Sequence, residues 1–585
     1  MALTALATLL VGVFVVRLTE SRAAARRVAV FPSPGTRLAT PREQIVFRGV
    51  PTSQFGSIVV TGSESGVHSG QVEADSDGKG GSFLPAKQFT PGEVVTVKTG
   101  LNVLGGSHGS FSFTVVNPAG RIPYLPLGPA PRVKGDVGHF HSDPGLSPAL
   151  VRVGKPRGRT APGDIFVAPQ QGPVQDGPEI FDSSGQLVWF HTLPDKRDWA
   201  TDFRVQTYAG KPALTWWQGL PGAGIGIGQD VIFDSSYQQI AAVKAANGLQ
   251  ADLHEFQLTP QGTALITAYF PVFWDASKDH ASKHAIVLDA VVQEIDVKTG
   301  LLLFEWDSLD HVSLSDSFVP PPKKTTNPWD YFHVNSIDQD GNALLVSARN
   351  DSSAYKLDIQ TGRIIWTLGG KRSSFKMEPG ASFADQHDIR VRAANDRFVT
   401  IFDDGAGPPP VHQESRGLKL FLDLKHMTAT RVAQHFHAPP LLANFEGNLQ
   451  QLPNHDDFVG WGQRPYFTEY DSHGKLIFDG RFVDVNSNYR AYRFPWSGQP
   501  AVPPKVSTTG GKEPIAYASW NGASDVAAWR VLGGASPGAL KTVATARRSG
   551  FETAISLSSA QTDVAVQALD PAGHVLGTSS TVSSR

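Results

Sequence analysis

The sequence predicts an all-β protein: a six-bladed β-propeller flanked by an N-terminal and a C-terminal immunoglobulin-like β-sandwich. Three observations carry that expectation. A hairpin motif recurs six times through the middle of the chain, at intervals of about 50 to 65 residues, the size of one propeller blade. Short alternating strands separated by dense turn signals fill the stretches on either side. Gly (58) and Pro (42) are abundant in the 585 residues while charged residues make up only 18%, a balance that favours strands and turns over solvated helices.

From the N-terminus, Ala2 to Val16 is an apolar run without a charge. It is shorter than the roughly 20 residues that span a bilayer, so residues 1–30 are expected to be a signal peptide or short membrane anchor and the protein to be exported. Ala23-Ala24-Ala25 offers a small-residue cleavage site, and Arg17, Arg22, Arg26 and Arg27 follow the run. Residues 31–120 supply the first sandwich, with strands such as Ile45-Val-Phe47, Val94-Val-Thr-Val97 and Phe111 to Val116. A Pro-rich linker, Pro118 to Pro131, leads into the propeller, taken as residues 121–500. Pro500 to Gly511 reads as a second linker, and residues 501–585 as the second sandwich, on strands such as Val526 to Leu532 and Val564 to Leu569.

The repeat itself is an apolar strand ending in Asp, a polar turn and a second strand. The six aspartates are Asp182, Asp234, Asp296, Asp358, Asp423 and Asp471. Hairpin aromatics Trp189, Phe304, Trp366 and Phe478 are expected to pack between blades. A second hairpin precedes most of these, beginning His254-Glu-Phe, His333-Val-Asn and His387-Asp-Ile, with a fourth copy at Gly447-Asn-Leu. Equivalent positions of a propeller ring its axis, so His254, His333 and His387 should converge at one mouth of the channel. Asn335 shares a strand face with His333, and Arg349, which ends the return strand of that hairpin, falls near the same rim.

Composition narrows the chemistry. With 52 Lys+Arg against 54 Asp+Glu the net charge is −2, which argues against a nucleic-acid surface. The absence of Cys excludes disulfides, thiolate nucleophiles and metal–thiolate sites. Three histidines with an arginine suit transfer of an anionic group: one imidazole as nucleophile, another as acid and base, the guanidinium steadying charge. The same three histidines could instead ligate a metal, or the channel could be a silent extracellular binding scaffold. The Gly222 to Gly228 and Gly369-Gly370 stretches lack the context of a phosphate cradle and read as turns. The His280/His284 and His435/His437 pairs read as structural.

At these residues the sequence resembles the bacterial PAPS-independent arylsulfotransferase (aryl-sulfate sulfotransferase) family. The matching text is Asp252-Leu-His254-Glu-Phe, Trp329-Asp-Tyr-Phe-His333-Val-Asn335-Ser-Ile, Ser347-Ala-Arg349-Asn, Trp366-Thr-Leu-Gly-Gly370 and Gln386-His387-Asp-Ile-Arg390, within roughly residues 140 to 495. The resemblance implies transfer of a sulfuryl group from a phenolic sulfate ester to a phenolic acceptor by a ping-pong route through a sulfohistidine, with no cofactor. It implies His387 as nucleophile, His254 and His333 in sulfuryl-binding and acid/base roles, and Asn335 and Arg349 on the sulfate oxygens. The later active-site hydroxyl of the better-understood enterobacterial type has no match near Gly460-Trp461-Gly462.

Overall fold

The computed structural model describes residues 27–583, apart from 122–132, 156, 172–174, 223, 393–396, 408–409 and 484–485. The apolar run Ala2 to Val16 and most of the Pro-rich linker therefore lie outside the described residues. Almost all regular structure is strand, and the longest helix among the described residues is the single turn Ser308–His311.

The first unit is two four-stranded antiparallel sheets. One orders its strands Ala29–Phe31, Ile45–Arg48, Gly80–Pro85, Gly70–Ala74; the other Gly66–His68, Ile58–Gly62, Val94–Thr99, Ser110–Thr114. Alternate residues such as Val95, Val97, Phe111 and Phe113 point inward, as the period of two requires, and close one core with Ile45, Phe47 and Val60. This unit begins by Val28, which bridges to Val103.

The middle of the chain forms six antiparallel meanders of four strands each. The first runs Trp199–Tyr208, Lys211–Pro221, Gly226–Phe233, Gln239–Val243, and the second Ala251–Leu258, Thr263–Trp274, Ala285–Asp296, Leu302–Asp307. The third is Val334–Asp340, Ala343–Ala348, Ser353–Asp358, Ile364–Gly369; the fourth His387–Val391, Phe398–Asp403, Arg416–Asp423, Thr428–Phe436. The fifth, Asn448–Gln451, Asp457–Gly460, Tyr466–Tyr470, Leu476–Phe482, gains Val151–Val153 as an outer strand. The sixth is assembled from both ends of the region: Tyr492–Phe494 pairs with Asp164–Val167, followed by Glu179–Phe181 and Leu187–Phe190. First strands of successive meanders touch one another through the fifth, whose Asp457–Gly460 strand touches Tyr492–Phe494 of the sixth, and the sixth touches the first, so the circuit closes.

All six repeat aspartates stand at the turn between the third and fourth strands of a meander. There each Oδ1 accepts backbone N–H groups of the turn, for example Ser184 and Gln186 on Asp182, Gln360 and Thr361 on Asp358, and His473 and Lys475 on Asp471. A short carboxylate that satisfies turn donors explains why Asp recurs at this point. Strand Thr263–Trp274 is buried nearly end to end rather than on alternate residues, because neighbours cover both its faces. Trp189, Phe304, Trp366 and Phe478 are buried.

Two expectations about linkers change. The start of the Pro-rich stretch is tied down, since Pro118 bridges to Val272 and Ala119 N–H donates to Pro271 C=O. Within Pro500 to Gly511, Lys505–Thr508 is a strand paired with Ile515–Ser519, and buried Val506 anchors it. That strand belongs to the last unit, a three-stranded sheet facing a second sheet built on Lys541–Arg547, Ala528–Gly534, Asp563–Leu569 and Val575–Thr578.

Candidate active site

The first strands of the meanders place the predicted histidines. His254 lies within Ala251–Leu258, His333 immediately precedes Val334–Asp340, and His387 opens His387–Val391. Each of these strands loses register with its neighbour at the histidine: between Ala251 and Phe256, Val334 and Ser336, and His387 and Arg390. Such bulges re-aim side chains and are concentrated beside active sites. His333 itself has a left-handed backbone, φ 57°, as does Asp388, φ 53°.

The structure brings the three imidazoles together. The rings of His254 and His333 meet edge to face with centroids 4.8 Å apart. Tyr489 joins the group, its ring 5.6 Å from His254 and 6.4 Å from His387. Each histidine has Nδ1 on its own aspartate: His254 on Asp252 at 2.5 Å, His333 on Asp330 at 2.5 Å and His387 on Asp404 at 2.8 Å. A carboxylate at Nδ1 holds the ring proton there and leaves the lone pair on Nε2.

Burial pushes the His387 imidazole well below its ordinary range, and the Arg349 guanidinium, His333 and His254 push it the same way. The ring is therefore neutral near pH 7. Its Nε2 accepts a long hydrogen bond from Glu446 N–H at 3.3 Å. Burial also lowers His254, against the opposing pull of Asp252. The Asp404 carboxyl is raised by burial, with Arg349 working against the shift.

Arg349 follows the return strand of the His333 hairpin, and its backbone N–H donates to His333 C=O at 3.0 Å. Its guanidinium donates to Asn350 Oδ1 and to Asn444 C=O, while Nε is buried without a partner. Asn335 is fully buried, and its Nδ2 donates to Gln386 C=O at 2.7 Å, tethering the segment that carries His387. One amide N–H is thus committed to positioning the strand that His387 opens.

Beneath the histidines the circuit is filled by a buried ion network. Arg490 contacts Asp202 at 2.8 Å and Glu255 at 3.2 Å, and Glu255 also accepts from Arg204 and Arg390 at 2.6 Å each. The arginine side of Arg490 faces the Tyr489 ring, 4.8 Å from its centroid. Tyr489 O–H donates to Asn335 C=O at 3.0 Å.

Sequence reasoning missed Tyr489, Glu446 and the three aspartates. Asp252 and Asp330 stand two and three residues before their histidines and carried a readable signal; Asp404, across a hairpin from His387, did not. The other histidine pairs sit apart from this site: His435 Nε2 is 2.8 Å from Asp457 and His437 Nδ1 is 2.8 Å from Pro439 C=O. His280 ends a short turn and His284 is exposed.

No curated protein matches the chain. Among solved structures, a protein of unknown function from Bacteroides caccae aligns at 13% identity and a TM-score of 0.35, covering 57% of this chain and 98% of that one. The periplasmic gluconolactonase PpgL of Pseudomonas aeruginosa aligns at 13% identity and 0.29, covering 72% and 96%. Apo AztD from Citrobacter koseri aligns at 8% identity and 0.28, covering 56% and 97%. A family model supplies the most direct comparison, spanning the first five meanders and all three histidines. Over residues 204–483 this chain matches the arylsulfotransferase (ASST) family.

Proposed function

We propose that the protein moves a sulfuryl group from a phenolic sulfate ester to a phenolic acceptor through a sulfohistidine, without PAPS. The observation that carries this reading is the shared tie of three imidazole Nδ1 atoms to aspartates, which leaves Nε2 as the reactive nitrogen of each. His387 Nε2 attacks sulfur, the N–S bond forms, and the S–O bond to the aryl group breaks. The His254/His333 pair, carrying one extra proton as an imidazolium, gives it to the departing phenolate. In the second half the acceptor hydroxyl returns a proton to that pair and attacks sulfur, releasing His387. Arg349 Nε, buried and unpartnered, and the second N–H of Asn335 donate to sulfuryl oxygens.

The same reading takes the six meanders as blades of a propeller and the two flanking units as immunoglobulin-like sandwiches. It also takes the apolar run Ala2 to Val16 as directing export; no helix among the described residues is long and apolar enough to cross a membrane. A carboxylate behind an imidazole would equally orient a metal ligand. Yet among the described residues no group of three His, Cys, Asp or Glu is spaced to hold a metal ion, and the family match favours group transfer.

The test is incubation with 4-nitrophenyl sulfate and a phenol, with no nucleotide present. Release of nitrophenol with sulfation of the acceptor is expected, together with a mass gain of one sulfuryl group on His387 when the acceptor is omitted. Undiminished turnover in His387→Ala, or turnover that stops on chelation, overturns the proposal.

A further inference from the structure

Glu446 lies between the fourth and fifth meanders, in the turn Asn444-Phe445-Glu446-Gly447. Its backbone is left-handed, φ 71°, a conformation strained for a non-glycine residue that persists only where the surroundings enforce it. The surroundings here do so from two sides. A Cβ on Gly462 would lie 2.5 Å from Phe445 O and 2.6 Å from Glu446 C, so that glycine lets the chain close over the turn. A Cβ on Gly447 would lie 2.5 Å from the Phe402 ring, and Gly447 N–H is held by Tyr489 C=O at 2.9 Å. Gln463 fastens the turn further, donating to Phe445 C=O and accepting from Asn444 N–H.

The enforced turn delivers two donors to the nucleophile. Glu446 N–H points at His387 Nε2, the lone pair that would form the bond to sulfur. Once that lone pair is used, the N–H has lost its acceptor and the nearest new ones are sulfuryl oxygens. The carboxyl is nine-tenths buried, its Oε2 has no partner, and it lies within electrostatic reach of Asp404, which backs His387. Resting on the sulfohistidine reading above, we propose that Glu446 is a sulfuryl-binding residue, supplying its backbone N–H and its protonated carboxyl to the oxygens of the group on His387.

Protonation is what the site requires, because a carboxylate there would repel the anionic donor. Burial raises the Glu446 carboxyl to about 8, so the acid form prevails at neutral pH and is lost above it. The ionisable groups about this turn are His387, whose Nε2 accepts from Glu446 N–H, Asp404 behind it, Arg349, which donates to Asn444 C=O, and Tyr489, whose C=O holds Gly447 N–H. Their charges do not supply the shift; burial does.

The measurement is the rate of the nitrophenol burst from 4-nitrophenyl sulfate without acceptor, followed from pH 6.5 to 9.5, which removes acceptor ionisation from the profile. The wild type should lose burst rate as pH rises through about 8. Glu446→Gln, a neutral donor at every pH, should keep the neutral-pH rate within about ten-fold and show no alkaline loss, while Glu446→Ala should slow the burst about 100-fold throughout. A wild-type burst that is flat across the range overturns the assignment even if a variant does not fold, and so does an alkaline loss that survives in Glu446→Gln. A wild type with a burst but no Glu446 effect leaves sulfuryl transfer standing; a wild type with no burst sinks both.

Discussion

The imidazoles of His254 and His333 meet edge to face, centroids 4.8 Å apart and planes at 83°, yet each is oriented by a different aspartate. They come from different meanders, so neither ring needs the other to hold its place. What they share is the space between them, and with it the proton that a departing phenolate and an arriving phenol exchange.

If that proton is handled by the pair, the two residues act as a unit. His254→Ala and His333→Ala should each lower kcat by roughly 10²–10⁴-fold, and the double variant should be little worse than the poorer single one. Groups that act together are non-additive in this way. Losses that simply multiply would show that the two rings do separate jobs.

Asp404 is the second position to probe. Its carboxyl stands 2.8 Å from His387 Nδ1, and with Glu446 N–H donating to Nε2 the ring proton sits on Nδ1, which frees Nε2. Asp404→Asn can present an amide N–H to Nδ1, which favours the opposite tautomer and occupies Nε2 with hydrogen. A fall in kcat on the order of 10³–10⁴-fold is expected, with KM little altered, as for a buried aspartate behind a catalytic histidine elsewhere. A fall of less than ten-fold would mean that Nε2 needs no such help.

Arg490 tests the floor of the site. Its guanidinium is fully enclosed and answers Asp202, Glu255 and Asp388 together. Arg490→Met keeps the volume but strands those carboxylates, so unfolding in urea should show a loss of about 3–5 kcal/mol. Arg490→Lys should recover only part, since an ammonium cannot span three partners with a planar fork. Wild-type stability in the Met variant would refute the role.

Local chemistry made part of this legible in the sequence. Asp182, Asp234 and their four counterparts cap turns through their own neighbouring N–H groups, so the repeat was visible and the meanders followed. The three histidines were legible because they occupy one position of that repeat. Asp404 was not, because it reaches His387 across a hairpin, and Tyr489 comes from the chain segment that begins the sixth meander, where the repeat motif is missing. Glu446 could not be read at all. Its exposure is set by packing, and its left-handed backbone by Gly462 and Phe402, residues distant from it in sequence or in another strand.

The contact between the first unit and the second meander predicts how stability changes with pH. Asn247 binds there between Glu43 and Glu305, and Thr40 N–H donates to Glu43 at 2.6 Å. Burial, then the nearby Glu305, raises the Glu43 carboxyl well above its usual range; burial likewise raises Glu305 and Asp307, and pushes Asp289 up to about 7. The folded protein thus binds protons that the unfolded chain, with carboxyls near 4, has already released. Stability linked to these groups is full below about pH 4 and is lost as pH rises through their raised values, for Asp289 through about 7. Glu43→Gln mimics the protonated side chain and cannot ionise. Its unfolding free energy should lie closest to the wild type's below about pH 4 and exceed it by a margin that grows from pH 5 to pH 8, by on the order of 1 kcal/mol, the worth of a single pKa unit. An equal difference at both pH values would show that Glu43 is ionised in the folded protein and that its carboxyl is not part of the linkage.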